Sequence, residues 1–219
     1  MTRQYAASRE TKAGETAPRR RLLRACAAAV LAAGVSACAA LGGGGSSVEA
    51  IYTLAPPAEI TGLNGRVGSQ LLVATPLALD ALNTNLIAVR PTPATLSYYP
   101  NVQWPDRLPN VFQSVLAAAL ENSGRVKAVG LPGQSLLINY QIVTEIRAFQ
   151  AETAGSDRAL VTISAKILDD RNGRVVASRV FTATQPMRGD TVQAAVDGLD
   201  LANQTVVEEM VRWIVSTIR

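Results

Sequence analysis

The chain has no histidine and two cysteines, Cys26 and Cys38, in 219 residues. A Ser-His-Asp or Cys-His relay therefore cannot be assembled, nor a zinc site built on imidazole. Two thiols are too few for a four-cysteine metal site or a dense disulfide framework. Two groups of carboxylates remain. Asp169-Asp170 could hold a cation, but beside Asn172-Gly173 the pair suits a solvated hairpin end. Asp197, Asp200, Glu208 and Glu209 could be read as a cluster, but helical spacing scatters them over a solvated face. Lys127 and Lys166 have no Ser-x-x-Lys partner. There is no Gly-x-Ser-x-Gly, Gly-Lys-Ser/Thr or Gly-x-Gly-x-x-Gly, and Gly42 to Gly45 lack the lysine and helix of a phosphate cradle. Asn203-Gln204-Thr205 fits a glycosylation sequon. No catalytic residues, metal ligands or cofactor are expected from these residue types and spacings. The residue with a clear chemical prospect is Cys38.

Cys38 follows an export signal. Residues 1–24 carry seven basic and two acidic side chains, and Ala25 to Val35 is uncharged and apolar. That run has 11 residues, too short for a membrane-spanning helix of about 20. A basic region followed by a short apolar core is the pattern of a secretory signal peptide. Val35-Ser36-Ala37-Cys38 resembles the lipobox of bacterial lipoproteins. The resemblance implies cleavage before Cys38, a diacylglyceryl thioether on its sulfur and an amide-linked third acyl chain. A thiol is the best nucleophile available for such alkylation, and small residues let the segment enter a peptidase. The alternative is a Cys38 that serves as a small hydrophobe in an ordinary signal. Arg19-Arg20-Arg21-Leu22-Leu23-Arg24 also resembles a twin-arginine signal, but nothing downstream requires export of a prefolded chain, so general secretion is the default.

Removing residues 1–37 changes the electrostatics. Of 21 basic and 17 acidic side chains, 14 and 15 remain, a net charge of −1. The sequence pI of 9.4 therefore belongs to the signal, and no basic stripe is left to bind nucleic acid. Residues 38–47 form a lipidated cysteine followed by a Gly/Ser tether. Nine tether residues span about 17 Å root-mean-square, which holds the domain close to a membrane surface. Two or three acyl chains would make the anchoring effectively permanent. Ala39, in place of an aspartate, favours the periplasmic side of the outer membrane, with the inner membrane as the alternative.

Residues 48–219 read as one α+β domain, a mostly antiparallel sheet with two main helices packed on one face. Strands are expected at Glu49–Leu54, Gln70–Ala74, Leu86–Arg90, Leu96–Tyr99 (ending at Pro100) and Arg125–Val129. Three long strands should form a meander. In the first, Leu136, Ile138, Tyr140, Ile142, Ile146 and Ala148 share one face. In the second, Ala159, Val161, Ile163, Ala165 and Ile167 do. The third, Val175–Ala183, is ambiguous, because Val175 and Phe181 oppose Val176 and Val180. A helix over 106–123 would be capped by Asp106, carry the stripe Leu108, Val111, Phe112, Val115, Leu116, Leu120, and stop at Gly124. A second starts near Thr191, runs about 40 Å and carries a Glu208–Arg212 pair.

Leu96 to Asn110 concentrates Tyr98, Tyr99, Trp104 and three prolines. Aromatics with prolines suit a rigid partner-binding loop, or they plug the edge between sheet and helix. Tyr52-Thr53-Leu54-Ala55-Pro56, Ile87-Ala88-Val89-Arg90 and Tyr99-Pro100-Asn101-Val102-Gln103-Trp104-Pro105-Asp106-Arg107-Leu108-Pro109 together resemble the ABC-type transport auxiliary lipoproteins. The strand Tyr140 to Phe149 and Gly173-Arg174-Val175-Val176 add to the likeness, which covers roughly residues 48–218. The family includes the lipoprotein partner of paraquat-inducible-type systems. The resemblance implies a non-enzymatic periplasmic lipoprotein working with an inner-membrane permease, its ATPase and a mammalian-cell-entry-domain protein in lipid transport between the two membranes. Cys38 would be the lipid-attachment residue and Tyr98, Tyr99 and Trp104 the candidate partner contacts. The oligomeric state stays open, a homo-oligomer included. Two rival expectations are a lipoprotein of another envelope assembly, such as one for polysaccharide or lipopolysaccharide, and a periplasmic enzyme using carboxylates.

Overall fold

A computed structural model describes residues 48–63 and 65–218. The expected signal peptide of residues 1–37, Cys38 and the expected tether of residues 38–47 lie outside the described residues. No helix among the described residues is long and apolar enough to cross a membrane.

The central element is a long strand with different partners on its two edges. Strands are numbered β1 Ala50–Ile51, β2 Val67–Val73, β3 Leu77–Ala78, β4 Leu86–Thr92, β5 Thr95–Gln103, β6 Val126–Gly130, β7 Tyr140–Glu152, β8 Arg158–Asp169 and β9 Arg174–Pro186. Helices are α1 Leu108–Asn122 and α2 Val192–Thr217. Along one edge β7 pairs antiparallel with β8, which pairs antiparallel with β9. The other edge is shared by three short parallel partners. Leu71–Val73 of β2 lie beside Tyr140–Ile142, Leu77–Ala78 of β3 beside Glu145–Ile146, and Val89–Arg90 of β4 beside Ala151–Glu152. β6 extends β2 in parallel, and β5 and β1 extend β4. The expected meander is present, and the expected α+β class with it.

Two corrections come from bulges. The face assigned to Leu136 through Ala148 does not hold along the strand. Ile142, Thr144 and Ile146 point into the core, but opposite Ile163–Thr162 the strand carries an extra residue between Ile146 and Ala148. One extra residue reverses the parity of every side chain beyond it, so Phe149 and Ala151 are buried instead of Ala148. Leu136 is exposed and precedes the strand. A second irregularity, between Ile167 and Leu168 of β8, resolves the ambiguity of β9. Phe181 and Ala183 face the core, and Val175, Val176 and Val180 are all exposed.

The expected stop at Pro100 is likewise overturned. β5 continues to Gln103 because a bulge absorbs the proline: Ala88 faces Tyr98 while Leu86 faces Gln103. Asn101 takes φ 60° inside that bulge, a conformation Asn tolerates.

The helices follow the expected stripes. All six apolar stripe residues of α1 are buried, and Gly124 at φ 62° ends the helix. Asp106 is not its cap, however. The capping position is Arg107, without a side-chain bond, and the Asp106 carboxylate accepts from Arg107 N at 2.6 Å and Asn110 Nδ2 at 2.9 Å. Buried Gln113 donates to Val73 O at 2.9 Å, fastening α1 to the end of β2. Thr191 caps α2 by accepting from Ala194 N at 3.2 Å. α2 lies on β7, β8 and β9, and Leu199, Val206, Val207, Met210 and Ile214 join the same core as Ile163, Phe112 and Leu116.

Candidate functional site

The segment after β5 is fixed by its backbone. Trp104 N donates to Asn85 O at 2.7 Å, Leu108 N to Thr84 O at 2.9 Å, and Asn85 Nδ2 to Gln103 Oε1 at 2.9 Å. These bonds turn Trp104 inward. It is 1% exposed, and its ring meets Phe149 edge-on at 6.0 Å. The indole has no face to offer a partner, so the expectation that Trp104 is a contact residue is corrected: it belongs to the core. Tyr98 is half-buried and donates from its hydroxyl to Ala81 O at 3.0 Å. Tyr99 is half-buried against the small cluster of Ala151, Met187 and Ala195. Its hydroxyl is buried with no hydrogen-bond partner. That burial pushes its pKa above the ordinary value, and the negative charges of Asp157 and Asp190 push the same way.

The carboxylates do not converge. Asp200 accepts from Ala55 N at 2.9 Å, Asp197 from Gln193 Nε2 at 2.7 Å, Glu208 binds Arg212, and Glu209 faces Arg179 at 3.8 Å. Asp169 is buried at the hairpin and held by Arg171 at 2.7 Å, which keeps its carboxyl below the ordinary carboxylate range. Asp170 accepts from Gln141. Among the described residues no three His, Cys, Asp or Glu side chains are grouped to hold a metal ion. Asn203 of the sequon is fully buried in α2, where no glycan could attach.

The surface that sequence reasoning missed lies between β9 and α2. Among the described residues β9, 13 residues long, pairs with β8 alone, and no strand pairs with its outer edge. α2 runs back beside it, and two clefts open between them. One, about 490 Å³, is bounded by Gln185 and Pro186 of β9, by Arg188, and by Asp197, Gly198 and Leu201 of α2. The other, about 370 Å³, is bounded by Arg179, Glu209, Arg212 and Trp213. The Arg179 guanidinium lies 4.8 Å above the Phe181 ring, and Phe181 meets Trp213 at 5.5 Å. No sequence signal marked this surface, because Val175, Val176 and Val180 line neither cleft and the pairing of an edge cannot be read from side-chain alternation.

The pattern of the ABC-type transport auxiliary lipoprotein component matches residues 52–211, and the chain belongs to that family. A Xanthomonas campestris protein of known crystal structure is 29% identical, covering 77% of this chain and 93% of that one with a TM-score of 0.66. A hypothetical protein of Chlamydia trachomatis shares the fold at 10% identity, with a TM-score of 0.51 over 68% of this chain and 97% of that one. An uncharacterised protein of Bradyrhizobium diazoefficiens is 27% identical over 76% of this chain, which spans 45% of that relative's length.

Proposed function

We propose that the protein is a lipid-anchored, non-enzymatic auxiliary subunit of an ABC-type transporter. In this reading it holds the periplasmic part of the machine at the outer membrane while lipid moves between the two membranes. The observation that carries this is the family match over residues 52–211, with the lipobox Val35-Ser36-Ala37-Cys38 standing in register ahead of it. Cys38 is the attachment point. Its acyl chains, at about 0.8 kcal/mol per buried CH₂, hold the chain in one leaflet, and residues 39–47 give the domain its play. The ABC permease and ATPase and a mammalian-cell-entry-domain protein are the partners in this reading. Tyr98 and Tyr99 keep surface area for contact with them, and Trp104 serves from within as a support.

Cys38→Ser tests the anchor. In cells fed a radiolabelled fatty acid, the native chain takes up label and sediments with membranes. The Ser variant takes up none, keeps its signal uncleaved, and fails to support transport. A Ser variant that still takes up label and supports transport overturns the anchoring reading.

A further inference from the structure

The open edge of β9 and the two clefts beside it belong to one surface. The edge presents backbone N–H and C=O groups that no second strand among the described residues pairs with, the ordinary template for an added strand. Leu201 is exposed on the cleft side, while Val180, 49% exposed, lies on the opposite face from Phe181. The clefts abut β9 near Arg179 and near Gln185, six residues apart, or about 20 Å at roughly 3.3 Å per residue. An added strand of about eight to ten residues (by that same rise) would reach both, with alternate side chains falling on the α2 side.

The charge on this edge selects the occupant. No acidic residue lies between Asp170 and Asp190. Arg179 is engaged by Glu209, and Arg212 by Glu208. Arg174 at the start of β9 and Arg188 just past its end are both exposed and have no ion-pair partner among the described residues. A second copy added antiparallel about Phe181 would set Arg174 against Arg188 at both ends, like charge on like charge. We infer that the β9 edge and its flanking clefts receive an extended segment of a partner protein, apolar in alternate positions and acidic at both ends. The inference does not depend on the transporter reading or on Cys38.

Arg174 and Arg188 lie 14 residues apart, or about 46 Å at that rise. The test therefore uses the full-length chain in detergent and a fluorescent peptide of about fifteen residues, alternating threonine and valine with a glutamate at each end. The glutamate peptide should bind saturably, and a lysine-ended peptide about tenfold or more weaker. Peptide N-methylated at alternate residues should not bind, because its added methyls block the ladder. Arg174→Glu with Arg188→Glu should reverse the preference, so that the lysine-ended peptide binds the variant better. That reversal also shows that the variant is folded. Equal binding of both peptides, undiminished binding of the N-methylated one, or no binding at all overturns the inference. So does concentration-dependent self-association that the glutamate peptide competes away, which would make the occupant a second copy.

Discussion

Trp104 is the largest fully buried side chain among the described residues. It is buried against Phe149 at the junction of β5, α1 and β7, in the same cluster as Leu108 and Phe112. Truncating a buried Trp removes its transfer energy and leaves a cavity, about 3–5 kcal/mol. Trp104→Ala is therefore expected to lower unfolding stability in urea by that amount, and Trp104→Phe by less. A Trp104→Ala variant of unchanged stability would mean that the ring is a surface feature after all. The sequence made the segment conspicuous through its aromatics and prolines, but it left two readings of equal standing. The choice depended on backbone bonds to Asn85 and Thr84, which local sequence does not encode. Tyr99 was conspicuous in the same way. Its neighbours Met187 and Ala195 come from the far end of the chain.

At the scale of elements, periodicity located the helices well and the strand faces less well. Helical stripes survived because α1 and α2 contain no insertions, so the 3.6 period runs through. Strand parity failed wherever a bulge intervened, as at Ile146–Ala148, because a period of two has no tolerance for one extra residue. The docking of α2 on β8 depends on a residue that periodicity passes over. At Gly198 a Cβ would stand 3.1 Å from Ala159 Cβ and 3.4 Å from Met187 Cγ. The glycine lets helix and strand approach closely, at a cost in helix propensity of about 1 kcal/mol. Gly198→Val is expected to push α2 off the sheet and lose about 1–3 kcal/mol by overpacking, read as a lower urea midpoint. An unchanged midpoint would show that α2 does not depend on this approach.

Across the whole molecule, one hydrophobic core joins both helices to the sheet, from Leu71 and Ile87 through Phe149 to Phe181 and Met210. The arm leading into β2 is tied across α2 by Ala55 N to Asp200 and by Arg212 Nε to Thr61 O at 3.0 Å. With Cys26 and Cys38 both ahead of it, the domain contains no cysteine and rests on that core. A fragment of residues 48–219 is accordingly expected to unfold in urea as a single transition, with tryptophan fluorescence and far-UV ellipticity superimposing. Separate midpoints would show that the α2–β9 half unfolds by itself.

By itself the sequence determined what is local or additive. It put the excess positive charge in the first 24 residues, ended a Val-Ser-Ala-Cys run that resembles a lipobox on Cys38, separated the helices from the strands, and carried enough of the family pattern to be read. The tertiary structure decided what depends on contacts between distant segments. It showed β7 flanked on one edge by three short parallel strands, Trp104 turned into the core, each carboxylate of α2 held by a different partner, and the outer edge of β9 unpaired among the described residues. The physical reason is that a side chain's face follows from the backbone hydrogen bonds around it. In a sheet those bonds are made to residues far away in the chain.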